Sequence, residues 1–97
     1  MAFIQIIDFT TDDIDAVLEV DKAWEAATEG KRTARRQILT RDRSDSSHYQ
    51  VLVFFDSYES AMENSNLPET QEFAGKYGEV TSSIAFRDLD VVSDTGL

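Results

Sequence analysis

The order in which two hydrophobic rhythms follow one another constrains this chain more than any single residue. Stretches that alternate, or are rich in β-branched and aromatic residues, read as strands at Phe3 to Phe9, Arg32 to Arg41, Tyr49 to Phe55 and Thr81 to Val92. Between the first two, Ile14, Val17, Leu18, Asp21 and Trp24 recur at helical spacing and Ala23, Ala26 and Ala27 raise propensity. This predicts a helix over Asp12 to Thr28, with N-cap chemistry from Thr11 and Asp12, acids Asp13 and Asp15 in its first turn, and Gly30 as its C-terminal cap. After the third strand, Asp56-Ser57-Tyr58-Glu59 resembles a capping box and starts a short helix to about Asn64. Asn66 then caps a restart at Pro68 that runs to about Tyr77 and ends at Gly78. The polar segment Asp42 to Ser47 suits a hairpin between the second and third strands.

The resulting order, strand-helix-strand-strand-helix-strand, is the split βαβ unit of the α+β ferredoxin-like architecture, an antiparallel sheet with helices on one face. Right-handed crossovers place the strands in spatial order 4-1-3-2. One domain over residues 1–92 is expected, with 93–97 a flexible tail. The third strand carries Tyr49, Val51, Val53 and Phe55 on one face and His48, Gln50, Leu52 and Phe54 on the other, so both faces call for cover. A second copy laid against the open face would supply it and close a two-fold barrel.

Six of the nine basic residues fall between Lys31 and Arg43, a local charge of +5 in a chain of net charge −10. Such a strand can hold an anionic ligand, with Arg35 and Arg36 as the binding residues. It can also meet the acidic last strand, with Asp88, Asp90 and Asp94, in a second copy. The acidic remainder repels nucleic acid and anionic lipid, and no apolar run approaches the roughly 20 residues a bilayer demands. Neither nucleic acid nor membrane is therefore expected as a partner. The apolar opening residues lack a basic flank and soon meet Asp8, Asp12 and Asp13, so a secretory signal is not expected and the cytoplasm is the default compartment. With no cysteine and one histidine, neither a metal site nor a disulfide is expected.

Phe54-Phe55-Asp56-Ser57-Tyr58-Glu59-Ser60-Ala61-Met62, leading into Asn66-Leu67-Pro68-Glu69-Thr70-Gln71-Glu72-Phe73 and later Phe86-Arg87-Asp88-Leu89-Asp90-Val91, resembles the dimeric α/β-barrel superfamily, and within it the antibiotic biosynthesis monooxygenase-like proteins. The resemblance covers about residues 2–92. It implies a homodimer that acts, without a cofactor, on an aromatic or polyketide-like molecule held between helices and sheet. The superfamily also contains haem-degrading enzymes with a histidine in the last helix, and residues 67–77 here contain none. Where the monooxygenase-type members keep an Asn at the end of the first strand and a Trp after the third, this chain offers Gln5 and Asp8, and Met62 or Asn64.

For chemistry, His48 can act as a general base on the open face beside Gln50, or stand half-exposed at a hairpin end. Tyr49 and Tyr58 can each bury a ring while the hydroxyl reaches a ligand or the backbone. Asn64 and Asn66 flank the helix break, where backbone groups lack partners, and Met62, Leu67 and Phe73 form the apolar wall of a pocket there or ordinary core. Trp24 reads as core, and Asp8 as a strand-end residue or a base. Three functions stay open: an enzyme, a non-catalytic binder of a small hydrophobic or anionic molecule, and a pure dimerisation module.

Overall fold

The computed structural model describes residues 2–97. Its elements are β1 (Phe3–Thr10), α1 (Ile14–Ala27), β2 (Arg36–Arg41), β3 (His48–Phe55), α2 (Tyr58–Ser65), α3 (Pro68–Val80) and β4 (Ser82–Asp90). All strand pairs are antiparallel and the sheet runs β2-β3-β1-β4. This is the expected ferredoxin-like order with the second crossover broken in two.

Alternation decides which residues make the core. Phe3 and Phe9 of β1 and Tyr49, Val51, Val53 and Phe55 of β3 point to the helices and are buried, joined by Val17 of α1 and Ala61 of α2. The central register pairs these residues directly, Phe3 with Phe55, Gln5 with Val53 and Ile7 with Val51, so one face of two neighbouring strands forms a continuous apolar floor. In β4 the register slips: between the Asp8–Ala85 and Thr10–Ser82 pairs, Ser83 and Ile84 both stand against Phe9. That extra residue is a bulge, and Ser83 takes up the kink at φ +53°.

Several element ends depart from the sequence reading, each because a tertiary partner outweighs local preference. The second strand begins at Arg36 rather than Arg32. Thr33 is held by α2 instead, its N–H donating to Asn64 Oδ1 at 3.2 Å and its hydroxyl to Ser60 O, while Arg32 reaches back to Glu25 O at 2.7 Å. Helix α1 is capped by Asp13, whose carboxylate accepts from Ala16 N at 3.2 Å. Thr11 serves the neighbouring turn, accepting from Asp13 N and donating to Val80 O. Thr28, not Gly30, is the C-cap; Gly30 follows at φ +79°, in the left-handed region that glycine enters freely. Asn66 closes α2 instead of opening α3, whose N-cap is Leu67 with Pro68 in the first helical position. Gly78 does not end α3, because Tyr77 before it and Val80 beyond it pack against the core. Beyond Asp90 the chain forms no regular element, although Val91 N still donates to Ala2 O at 2.9 Å. Among the described residues, no helix is long and apolar enough to cross a membrane.

Candidate functional site

Between the sheet and helices α1 and α3 lies a cavity of about 280 Å³. Its floor is the central strands, with Ile7, Val51 and Val53. Its walls are single faces of two helices: Val20, Asp21 and Trp24 from α1, and Thr70, Phe73, Ala74 and Tyr77 from α3, at the spacing that brings helical side chains to one side. Trp24 Nε1 donates to Thr70 Oγ1 at 3.0 Å and ties the walls together. Asn64 closes the end at the helix break, where its 6% exposure leaves the carbonyl committed to Thr33 N. Ile84 and Phe86 of β4 form the open side, and Phe86 is 60% exposed.

The lining is mostly apolar, and its one ionisable carboxyl is Asp21. Burial, with the charge of Glu25 one turn along α1, pushes the Asp21 carboxyl up to about 6, while the Gln37 amide beside it works the other way. Tyr77 faces the same space with a buried hydroxyl that has no hydrogen-bond partner, and burial followed by the nearby Asp21 charge raises its pKa. No Lys, Arg or His lines the cavity.

Of the residues singled out from sequence, Asn64 and Phe73 line this cavity. Tyr49 is buried on the same face of β3 but is not part of the lining, its ring stacked on Phe9 at 5.8 Å. Tyr58 is 49% exposed with its ring edge on Phe3. Met62 packs against the buried core, Leu67 is half-buried at the helix junction, and Asn66 is exposed. Arg35 lies before β2 and forms an ion pair with Asp56 at 2.7 Å. Arg36 is on the open sheet face, its guanidinium over the Phe54 ring at 5.8 Å. Trp24, read as core, is cavity wall, and Asp21, Gln37 and Tyr77 were not singled out. The signal for Asp21 was an acid standing in the apolar stripe of α1.

His48 belongs to a separate cluster on the open face. Its Nε2 is 2.9 Å from both Asp8 carboxylate oxygens, its Nδ1 is 3.5 Å from Asp42, and Gln50 donates to Asp8 at 2.7 Å. The bond to Asp8 is the main reason its pKa is raised above 6.5. A raised histidine stabilises the fold fully below its unfolded value, and this contribution is lost as pH rises through the folded value. Denaturant midpoints should therefore fall as pH climbs past neutrality in the native chain, and less so in His48→Gln. Equal profiles would remove His48 as the cause. Among the described residues, no group of three or more His, Cys, Asp or Glu converges to hold a metal ion.

No protein-family model matches this sequence, and no curated protein sequence does. Solved structures do. Rv0793 from Mycobacterium tuberculosis is similar with a TM-score of 0.78 at 15% identity, over 99% of this chain and 100% of that one. SnoaB, a cofactor-independent oxygenase from Streptomyces nogalater, gives a TM-score of 0.80 at 12% identity, over 96% and 95%. A candidate antibiotic biosynthesis monooxygenase from Nitrosomonas europaea gives 0.77 at 9% identity, over 98% and 94%. At these identities the likeness is one of fold. The chain has the ferredoxin-like α+β fold of the antibiotic biosynthesis monooxygenase-like proteins.

Proposed function

We propose that the protein is a homodimer whose cavity takes a planar, largely apolar small molecule of aromatic or polyketide-like type. The observation that carries this reading is the cavity itself. Protein interiors pack to near-crystalline density, and a domain of 97 residues has little core to spare, so about 280 Å³ left open between sheet and helices calls for an occupant. A pure dimerisation module would have no use for that space. An anionic ligand is disfavoured there, because the only charged group in the lining is Asp21. The basic strand offers an anion little either, since Arg35 is already paired with Asp56. The fold likeness to SnoaB favours oxygenation without a cofactor, in which the substrate's own electrons reduce O₂, as the reaction class.

Trp24 is the only tryptophan in the chain and stands in the cavity wall, so its fluorescence reports on that space alone. Titration with anthraquinone should quench it saturably, one ligand per chain, with a Kd in the roughly micromolar range typical of modest apolar burial. Linear, unsaturable quenching would sink the binding reading. Oxygen consumption with electron-rich phenols, measured separately, distinguishes an enzyme from a binder.

A further inference from the structure

We propose that Asp21 and Tyr77 select a ligand bearing a ring hydroxyl: the Asp21 carboxylate accepts the ligand's O–H hydrogen, and the Tyr77 hydroxyl donates to the same ligand oxygen. This rests on the cavity being a binding site. Several other polar side chains around the space are already engaged within the protein. Trp24 N–H is on Thr70, the Asn64 carbonyl receives Thr33 N–H, and the Gln5 amide turns to Asp88 at 3.5 Å. Tyr77 is left with a buried hydroxyl and nothing to bond, an arrangement that costs free energy unless a ligand supplies the partner. Asp21 is hydrogen-bonded by the Gln37 amide and, with two carboxylate oxygens, keeps further acceptor capacity in a mostly apolar wall. An unpaired donor and an acceptor in the lining of one cavity fit a group that both donates and accepts, which a phenolic hydroxyl does and an ether does not.

The groups that set the charge of Asp21 are few. Burial and then Glu25 on its own helix raise its pKa and the Gln37 amide from β2 lowers it; Tyr77 lines the same space from α3, where Asp21 raises the pKa of the tyrosine, and Gln5 is the other strand amide in the lining. Because Asp21 ionises near 6, its capacity to accept from a neutral phenol grows between mildly acid and mildly alkaline pH.

The test is calorimetric titration of the intact protein with naphthol and with naphthol methyl ether, at about pH 5 and about pH 8, where the phenol stays neutral. Naphthol should bind about tenfold more tightly at the higher pH, the gain expected of a hydrogen bond to a charged group. The ether should be insensitive to pH. Asp21→Asn should abolish both the pH dependence and the preference for naphthol. Loss of a charge held in an apolar wall spares the fold, which circular dichroism checks. Tyr77→Phe should weaken both ligands by a similar factor and keep the pH dependence of naphthol. If the ether binds and naphthol binds no better at either pH, or if Asp21→Asn leaves naphthol unchanged, the selection is overturned and the cavity reading stands. If neither ligand binds at either pH, both fall.

Discussion

Replacing Phe9 with Ala is expected to cost about 3–5 kcal/mol of stability, the usual range for emptying a fully buried aromatic site. Phe9 has no exposed surface, and its ring lies between two others, stacked on Tyr49 at 5.8 Å and meeting Tyr77 edge-on at 5.4 Å. It is also the residue opposite the β4 bulge, where two backbone positions crowd one partner and leave little freedom to collapse into a void. Small domains are stable by only about 5–15 kcal/mol, so this one truncation removes a large share of the margin. Thermal denaturation should show the midpoint lowered by roughly 15–30 °C, at several degrees per kcal/mol for a domain of this size. A drop of only a few degrees would mean that the neighbouring rings close the gap. Tyr77 has Phe9 on one side and the cavity on the other, so the variant should also weaken quenching of Trp24 by a ligand even where it remains folded. Tyr58→Ala provides the contrast: that ring is half in water and meets Phe3 edge-on at 5.6 Å, and its loss should cost far less.

What was legible in the sequence follows from how far each signal reaches. Alternation in β3 is a local signal with a period of two, and it assigned Tyr49, Val51, Val53 and Phe55 to a common face without needing a partner strand. The order of elements, with the handedness of crossovers, then left one strand order. Local signals misled where a distant group competes. The Arg32 to Arg35 segment has strand-like flanks, but Asn64 and Ser60 of α2 take the polar groups of Thr33 and keep it off the sheet. Gly78 carries a stop signal, yet Tyr77 and Val80 gain more by packing than the glycine loses by staying helical. Sequence put a candidate pocket between helices and sheet beside the helix break, and of the residues named for it Asn64 and Phe73 line the cavity. It did not separate a tyrosine that lines the cavity from one whose ring is stacked within the core. Tyr49 and Tyr77 differ in that respect only through their neighbours. Asp21 was the readable exception, since an acid on the buried side of a helix must either find a partner or serve a purpose.

Leu52→Asp should turn a dimer into a monomer. On the face of the sheet away from the helices, the register places Ile38, Leu52, Ile6 and Arg87 in one row across all four strands, and Arg36, Phe54, Ile4 and Leu89 in the next. Three of the four positions in each row are apolar, and one end of each is cationic, Arg87 in the first and Arg36 in the second. Leu89 is 41% exposed and the central side chains are only partly covered, because among the described residues no helix packs on this face. In the proposed dimer, burying such a face against a second copy would supply the association free energy, and the arginines at its rim would contribute mainly orientation. Of Arg32, Arg35, Arg36 and Arg41, the basic residues expected to meet the acidic last strand of a second copy, Arg35 is held by Asp56 within the chain, and Asp88 and Asp90 share the helix side with Gln5 and Phe3. Arg36 and Arg87 are the cations that remain on the open face. A carboxylate at position 52 would sit at the centre of the joint sheet with no cation within its own row except the distant Arg87. An unpaired charge in that setting costs several kcal/mol, which raises the dimer dissociation constant by about a hundredfold or more. Sedimentation at micromolar concentration should then give about twice 10.9 kDa for the native chain and a single chain mass for the variant. The folded monomer should survive, because position 52 is not part of the helix-side core. A native chain that sediments as a monomer, or a variant that remains a dimer, would place the interface elsewhere and leave this apolar face without a role.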